Sequence, residues 1–154
     1  MKTDTAGVIA PPPLIFLGGL AIGLAWHFVI GGDAIGLGAL RITIASLALA
    51  IGIVLLVAAV RRFSAADTPP QPWEPTRAIV ATGIYRFTRN PMYLGMAAVM
   101  LGLGLFADSI AALVMLVPVL LLVDRGVIRR EERYLAAKFG AVYNDYRRTT
   151  RRWL

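Results

Sequence analysis

The feature that most constrains this chain is the apolar run from Leu40 to Val60, whose one charge, Arg41, lies near its start. As a helix this run is roughly 30 Å long, the thickness of a bilayer's hydrocarbon core. Three further apolar blocks, at 14–30, 92–106 and 110–123, contain no Asp, Glu, Lys or Arg. With 58% hydrophobic and 16% charged residues the chain is too apolar for a soluble domain. The sequence therefore predicts an all-α integral membrane protein with four transmembrane helices.

The connections between these blocks refine the expected fold. Only Ala107–Ser109 separates the third block from the fourth, which predicts a tight helical hairpin. The fourth helix is expected to continue past Val123 towards Gly140 as part of a C-terminal helical tail. For the first block a signal peptide is the competing interpretation, but little positive charge precedes it and no clear cleavage site follows. We expect residues 1–154 to form a single domain.

Small residues indicate how the spans turn and pack. Gly31–Asp33 predicts a turn after the first span. Gly19 and Gly23 form a small-xxx-small pair, which lets a second helix approach closely. The pair Gly102 and Gly104 is expected to ease helix packing in the same way, because it follows no strand and is therefore not a dinucleotide fingerprint.

The basic residues predict the topology. The connector 61–91 contains five arginines and the tail 124–154 nine Lys and Arg, whereas the turns at 31–38 and 107–109 contain none. Basic loops remain on the cytosolic side of a membrane. We therefore expect both termini, the connector and the tail on the cytosolic face of a plasma membrane, inner membrane or equivalent.

Composition also excludes several kinds of site. The chain has no cysteine and one histidine, His27, so disulfides, thiolate chemistry and multi-histidine metal sites are excluded, and no metal is expected. The net charge of +7 could suggest nucleic acid, but in so apolar a chain it indicates basic loops beside anionic lipid. The expected partners are membrane lipids and a lipophilic small molecule or lipidated substrate. Arg147, Arg148, Arg151 and Arg152 are expected to form a solvated cluster facing the lipid head groups.

One dense group of polar and aromatic side chains lies where the third span begins. Pro91 can start the helix, because its missing N–H costs nothing in a first turn. The group is framed by Gly83 and Gly95 and comprises Tyr85, Arg86, Arg89, Asn90 and Tyr93. The group has two interpretations. It is either an aromatic and basic interfacial belt, or a ligand site at which the glycines let a ligand approach the backbone closely.

A second group lies in the tail. The apolar residues Ile128, Leu135, Phe139 and Val142 recur at helical spacing and define one face. Glu131 and Glu132 lie on or beside this face, where a carboxylate is costly unless a cation pairs with it. The partner is either an arginine of the protein, such as Arg89 or Arg129, or the ammonium group or hydroxyls of a ligand.

At these two stretches the chain resembles the isoprenylcysteine carboxyl methyltransferase family, which is related to the phospholipid N-methyltransferases. The family pattern is approximately T-G-x-Y-R-x-x-R-H-P-x-Y-x-G, an apolar hairpin, E-E-x-x-L and F-G-x-x-Y-x-x-Y. The matching residues are Thr82, Gly83, Tyr85, Arg86, Arg89, Pro91, Tyr93 and Gly95, then Glu131, Glu132, Leu135, Phe139, Gly140, Tyr143 and Tyr146. The resemblance runs from Ala78 to the C-terminus, about half of the chain.

The resemblance implies that S-adenosylmethionine binds at the cytosolic end of the hairpin and that a lipophilic methyl acceptor enters from the bilayer. The acceptor would be a prenylcysteine-like carboxylate, a phospholipid amine or another hydrophobic molecule. The implied cofactor contacts are Tyr85, Arg89, Asn90, Pro91, Tyr93 and Gly95 on one side, and Glu131, Glu132, Tyr143 and Tyr146 on the other. Arg89, Asn90, Glu131 and Glu132 are the candidates for a catalytic role.

The chain departs from the family pattern at Asn90, where the better-known members have histidine. Asparagine can donate a hydrogen bond but cannot take a proton. If the family histidine acts as a base, Glu131 or Glu132 would replace it here. Two other functions stay open: a reductase-like relative using a nicotinamide cofactor, and a non-enzymatic membrane scaffold or lipid-binding protein.

Overall fold

A computed structural model of the protein describes residues 4–31 and 34–154. The described part of the chain contains six α-helices and no β-strand, which confirms the all-α prediction. The helices are α1 (Pro12–Ile30), α2 (Gly38–Ala65), α3 (Pro91–Phe106), α4 (Ile110–Val123), α5 (Arg129–Phe139) and α6 (Ala141–Thr149). A 3₁₀ turn at Gly83–Arg86 precedes α3, and a π-helical turn at Asp124–Ile128 joins α4 to α5.

Three helical stretches are long and apolar enough to cross a membrane: α1, α2 and the continuous helix Ile110–Phe139. In the last of these the charged α5 lies beyond the apolar residues 110–123. α3 has 16 residues and is shorter than a typical span. The hairpin of α3 and α4 has nearly the predicted bounds, and the fourth helix continues past Val123 as expected. Part of the turn predicted at Gly31–Asp33 lies outside the described residues.

Two helix boundaries differ from the predicted ones. α1 begins at Pro12 rather than at residue 14, because proline suits the first turn of a helix. α2 extends beyond 40–60 at both ends, and its last turns include Arg61 and Arg62. A long helix of this kind can carry its charged end out of the apolar layer.

The helices pack in two pairs, α1 along α4 and α2 along α3, and α3 also contacts α4 and α1. The core contains Phe16 and Leu20 of α1, Tyr93 and Met100 of α3, and Ala112, Val119, Val123, Val127 and Ile128 of the α4–α5 helix. Many large apolar side chains, among them Leu14, Leu47 and Val54, are instead exposed on the outer surface. This distribution suits a bundle whose outer surface faces lipid.

Glycines let the helices approach closely, as the sequence predicts. A Cβ atom at Gly23 would lie 2.5 Å from Ala112 Cα of α4, and one at Gly19 would overlap Val119 Cγ2. Gly102 faces Ala45 and Leu49 of α2 in the same manner. These contacts leave no room for a side chain, so the backbones themselves form the interface.

We expect Gly23→Leu to lower the free energy of unfolding in detergent by about 1–3 kcal/mol, the usual cost of overpacking a core. Gly18→Leu is the matched control, because nothing lies within 4 Å of a Cβ atom at Gly18 in the same helix. Thermal unfolding of both variants measures the difference. Equal unfolding temperatures would contradict the α1–α4 interface described here.

One end of the bundle gathers the connector, the tail and the N-terminal residues; we call it the site end, where α3 begins and α4 stops. The Lys138 Nζ atom donates to Asp4 Oδ2 at 2.6 Å, and Arg130 Nη1 donates to the Gly7 carbonyl at 2.8 Å. The Thr76 N–H of the connector donates to the Tyr134 hydroxyl at 3.2 Å. The predicted proximity of connector and tail is therefore present.

Arg41 marks the opposite end of the bundle. Its guanidinium donates to the carbonyls of Leu105 and Phe106, the last residues of α3, and pairs with Asp108 at 3.3 Å. The Asp108 carboxylate also accepts from the Ile35 N–H at 3.0 Å. The turns 34–37 and 107–109 therefore meet at the end remote from the site.

Candidate functional site

The first wall of the site is the segment that leads into α3. Pro91 begins the helix and fixes where the preceding side chains emerge. The backbone of this segment is held by the C-terminal residues: the Arg89 N–H donates to the Arg151 carbonyl at 2.9 Å. The Asn90 side-chain amide donates to the Arg152 carbonyl at 2.8 Å. Asn90 is therefore buried and already uses an N–H of its amide within the protein.

The second wall is α5, whose orientation follows from the π turn before it. This turn contains one more residue than an α-helical turn, which rotates everything beyond it. The Glu131 side chain lies against α3, where the Tyr93 hydroxyl donates to Glu131 Oε2 at 2.8 Å. This hydrogen bond joins the two stretches that the sequence singled out.

Glu132, the neighbouring carboxylate, forms a buried ion cluster. Arg89 Nη2 donates to Glu132 Oε1 at 2.9 Å. Arg152 donates to both carboxylate oxygens, from Nη2 at 2.6 Å and from Nε at 3.1 Å. Because Glu132 is only 8% exposed, this bidentate pairing offsets the cost of burying its charge. The ion-pair interpretation of the sequence therefore holds for Glu132.

One expectation about the tail was wrong. Arg152 is not part of a solvated cluster, because it pairs with Glu132 and reaches Asp124 Oδ1 at 3.4 Å. Of the two arginines named as partners for the glutamates, Arg89 pairs with Glu132, and Arg129 pairs with Asp124 at 2.7 Å. Nothing in the sequence of the four arginines distinguishes Arg152, which folds back onto Glu132, from the other three.

A pocket of about 820 Å³, its open mouth included, lies between the two walls. Eight of the predicted site residues line it: Tyr85, Arg89, Asn90, Tyr93, Glu131, Glu132, Tyr143 and Tyr146. The connector covers one side through Pro69, Pro70 and Pro72, and the apolar part of the lining includes Phe63, Ile79, Val80, Met92, Ile128 and Leu135.

Two predicted contacts do not line the pocket. Pro91 lies in the first turn of α3 and is fully buried. Gly95 faces α2, where a Cβ atom would lie 3.0 Å from the Gly52 carbonyl oxygen and 2.9 Å from Leu56 Cγ. In this structure both residues set the position of α3.

Several residues at the site were not indicated by the sequence. Tyr134 lines the pocket and binds the connector, and the Thr88 hydroxyl accepts from the Asn90 N–H at 3.2 Å. The four prolines between residues 69 and 75 predict an extended segment rather than a helix. Nothing in its composition indicated that it would cover a pocket.

Arg89 carries one group that the protein leaves unsatisfied. Its Nε atom is buried and has no hydrogen-bond partner within the described residues. Its Nη1 and Nη2 atoms bind the Arg147 carbonyl and Glu132. A buried donor without a partner is costly, so this N–H fits an anionic or carbonyl group of a ligand.

Glu131 differs from Glu132 in that no cation of the described chain contacts its carboxylate. The pKa of Glu131 is raised to about 7, chiefly by burial; the Tyr93 hydrogen bond opposes this rise and the charge of Glu132 contributes to it. The group therefore changes its protonation state near neutral pH. It is the titratable side chain of this pocket that is suited to accept a proton or a cationic ligand.

Three tyrosines of the pocket, Tyr85, Tyr143 and Tyr146, stay neutral. Burial raises the pKa of Tyr143 to about 12 and raises the pKa values of Tyr85 and Tyr146 further. Each can therefore donate a hydrogen bond, as Tyr146 does to the Tyr85 carbonyl at 2.7 Å. Their aromatic faces stay available to a positively charged group.

The raised pKa of Glu131 predicts a pH-dependent stability. The unfolded chain releases this proton near pH 4.5, whereas the folded protein retains it to about pH 7, so stability falls as pH rises between these values. At pH 8 Glu131→Gln should be more stable than the parent by about 3 kcal/mol, and at pH 5 the gain should be much smaller. Thermal unfolding in detergent at the two pH values measures it. A gain that is equal at both would contradict the raised pKa.

These features define the protein as a helical membrane protein with a polar pocket at one end of its bundle. A family model described as phospholipid methyltransferase matches residues 40–142. The chain therefore belongs to the phospholipid methyltransferase family of membrane enzymes. A protein of Haemophilus influenzae, described as uncharacterized, is 35% identical over 63 residues, which make up 41% of this chain and all of the relative. No solved structure matches the chain.

Proposed function

We propose that this protein is an S-adenosylmethionine-dependent methyltransferase that methylates a lipophilic acceptor entering from the bilayer. The observation that supports this proposal best is that two adjacent carboxylates differ in their partners. Glu132 is neutralised by two arginines, whereas Glu131 lines the pocket and receives only the Tyr93 hydroxyl. A pocket carboxylate without a cation favours a ligand that supplies positive charge.

The pocket residues fit the cofactor by their chemistry. The free Nε–H of Arg89 suits the amino-acid carboxylate, and Glu131 suits the ammonium group or the ribose hydroxyls. Tyr85, Tyr93 and Tyr143 provide aromatic faces for the adenine or the positively charged sulfur. When bound, the cofactor supplies a methyl group activated by that sulfur.

The protein's own contribution is positioning and proton transfer. The covered pocket holds donor and acceptor together and excludes water. A carboxylate acceptor is already ionised near neutral pH and needs no base. An amine acceptor must lose a proton, and Glu131 is the group suited to take it, because Asn90 cannot.

The pocket lining favours a lipophilic acceptor. Apolar side chains from α2, the connector and α3 form one side, among them Phe63, Val80 and Met92. The lining also includes the two carboxylates, so an amphipathic molecule matches the pocket. A phospholipid amine and a prenylcysteine-like carboxylate are the acceptor classes that we propose.

Calorimetric titration of the detergent-solubilised protein with S-adenosylhomocysteine tests cofactor use. We expect saturable binding, and no binding of a nicotinamide dinucleotide. Binding of the dinucleotide alone would favour a reductase-like relative, and binding of neither compound would favour a scaffold or lipid-binding protein. Incubation of membranes with methyl-labelled cofactor then shows whether label enters lipid, protein or a small molecule.

We also propose that α3 crosses the membrane as a fourth span, with both termini and the pocket on the cytosolic face. The distribution of basic residues supports this topology. Because the chain has no cysteine, single-cysteine variants report on it directly. In intact cells a membrane-impermeant maleimide should label Ala107→Cys, but neither Glu74→Cys in the connector nor Ala141→Cys in the tail. Labelling of Glu74→Cys and Ala141→Cys without Ala107→Cys would invert the topology. The same result for Glu74→Cys and Ala107→Cys would place both ends of α3 on one side and contradict a fourth span.

A further inference from the structure

A second depression lies beside the pocket at the site end. We call it the arginine groove; its lining is Arg125, Arg129, Arg133, Arg147 and Arg152 together with Glu132 and Ala136. Glu132 is the one described residue that lines both the pocket and the groove. The groove is therefore a separate feature that shares a wall with the pocket.

The groove has more positive charge than the protein neutralises. Asp124 and Glu132 pair with Arg129 and Arg152, at 2.7 and 2.6 Å. The other three arginines have no carboxylate partner among the residues that the structure describes; they are Arg125, Arg133 and Arg147. Packing these charges into one groove is unfavourable unless an anion joins them.

The groove lies at the level where the apolar surface of α4 ends. Leu121 and Leu122 are about half exposed on the last turn of that helix. Arg125 follows them within one turn, and Arg129 and Arg133 follow along the same continuous helix. In a bilayer this level is that of the lipid head groups.

We propose that the arginine groove binds the phosphate of an anionic membrane phospholipid, as a site distinct from the one that takes the methyl acceptor. Guanidinium groups match phosphate oxygens bidentately, and here three of them lack an acidic partner within the described chain. A lipid is the occupant, because the exposed leucines beside the groove offer its acyl chains an apolar surface that free phosphate would not use. This proposal does not depend on the protein's being a methyltransferase.

Native mass spectrometry of the detergent-solubilised full chain tests the proposal, with phosphatidylglycerol and phosphatidylcholine as probes. We expect preferential retention of phosphatidylglycerol. Each arginine removed should weaken that preference about fivefold, so Arg133→Gln should show this loss and Arg125→Gln/Arg133→Gln/Arg147→Gln a larger one. The matched control is Arg77→Gln/Arg86→Gln/Arg148→Gln, which removes the same charge outside the groove and should keep the preference.

Three results would overturn the proposal. Equal retention of the two lipids by the parent would show no anionic site. Equal losses in the two triple variants would show diffuse attraction to the basic surface rather than a site. Displacement of phosphatidylglycerol by inorganic phosphate at matched concentration would assign the groove to a soluble anion.

Discussion

Replacing Glu131 with glutamine is expected to weaken the binding of S-adenosylhomocysteine by roughly 10- to 100-fold. A hydrogen bond to a charged group contributes about 1.5–3 kcal/mol, and each ~1.4 kcal/mol is a factor of ten in affinity. The new amide side chain would keep a carbonyl oxygen for the Tyr93 hydroxyl, so the change removes charge and little else. Calorimetry in detergent at pH 8 measures the dissociation constant.

The control for this experiment is Glu74→Gln, a change of the same chemistry at an exposed position of the connector. It should bind S-adenosylhomocysteine like the parent. Since Glu131→Gln is also expected to raise stability at pH 8, weaker binding could not be attributed to unfolding. Undiminished affinity in Glu131→Gln would remove Glu131 from the cofactor site.

Replacing Glu132 with alanine is expected to have a different and larger effect, a loss of about 3–5 kcal/mol in the free energy of unfolding. The reason is that Arg89, whose side chain is 10% exposed, would stay buried without the carboxylate that it shares with the partly exposed Arg152. Thermal unfolding in detergent measures the loss. Cofactor binding should fall with it, because the same pair holds Arg89 in the pocket.

Two further variants compare the contribution of this buried ion cluster to stability with that of an ion pair on the surface. Asp145→Asn removes an exposed partner of Arg148 in a pair three residues apart, and should change stability by about 0.5 kcal/mol or less. Glu132→Gln/Arg152→Gln should be less destabilised than the sum of its single changes, because only Arg89 then lacks the carboxylate, whereas Glu132→Gln alone leaves both arginines without it. Additive effects would show that the two side chains act independently.

The helical bundle could be predicted from the sequence because each of its long helices corresponds to one contiguous run of mainly apolar residues. The residues 92–106 and 110–123 have no charge to interrupt them, and the structure places α3 and α4 almost at these bounds. Lengths at the membrane ends were less predictable. There, charged residues continue a helix as readily as they stop it, as the end of α2 shows.

The tail was predictable only in part. Ile128 is fully buried as expected, but Val142 is 64% exposed and the predicted apolar face does not reach it. The cause is Gly140, whose φ of 54° ends α5 and lets α6 leave in a new direction. Periodicity across a helix break carries no information on packing.

The residues of the site could be predicted where their chemical type alone indicates a polar ligand site. Tyrosines, an arginine and two glutamates beside spans indicated a polar site, and eight of the predicted residues line one pocket. The partner of Glu132 was not predictable, because Arg152 is 20 residues away and closes back over the start of α3. The contact between Arg152 and Glu132 depends on the path of all the residues between them, which the local sequence does not determine.

The π turn at Asp124–Ile128 has a consequence for relatives of this chain. An α-helix turns by about 100° per residue, so winding these residues as α-helix would swing Glu131 away from Tyr93. A relative with one residue fewer at this point would present its twin glutamates correctly through an uninterrupted helix. The loss of one residue between the last span and the glutamate pair should therefore be tolerated, whereas the loss of two should not.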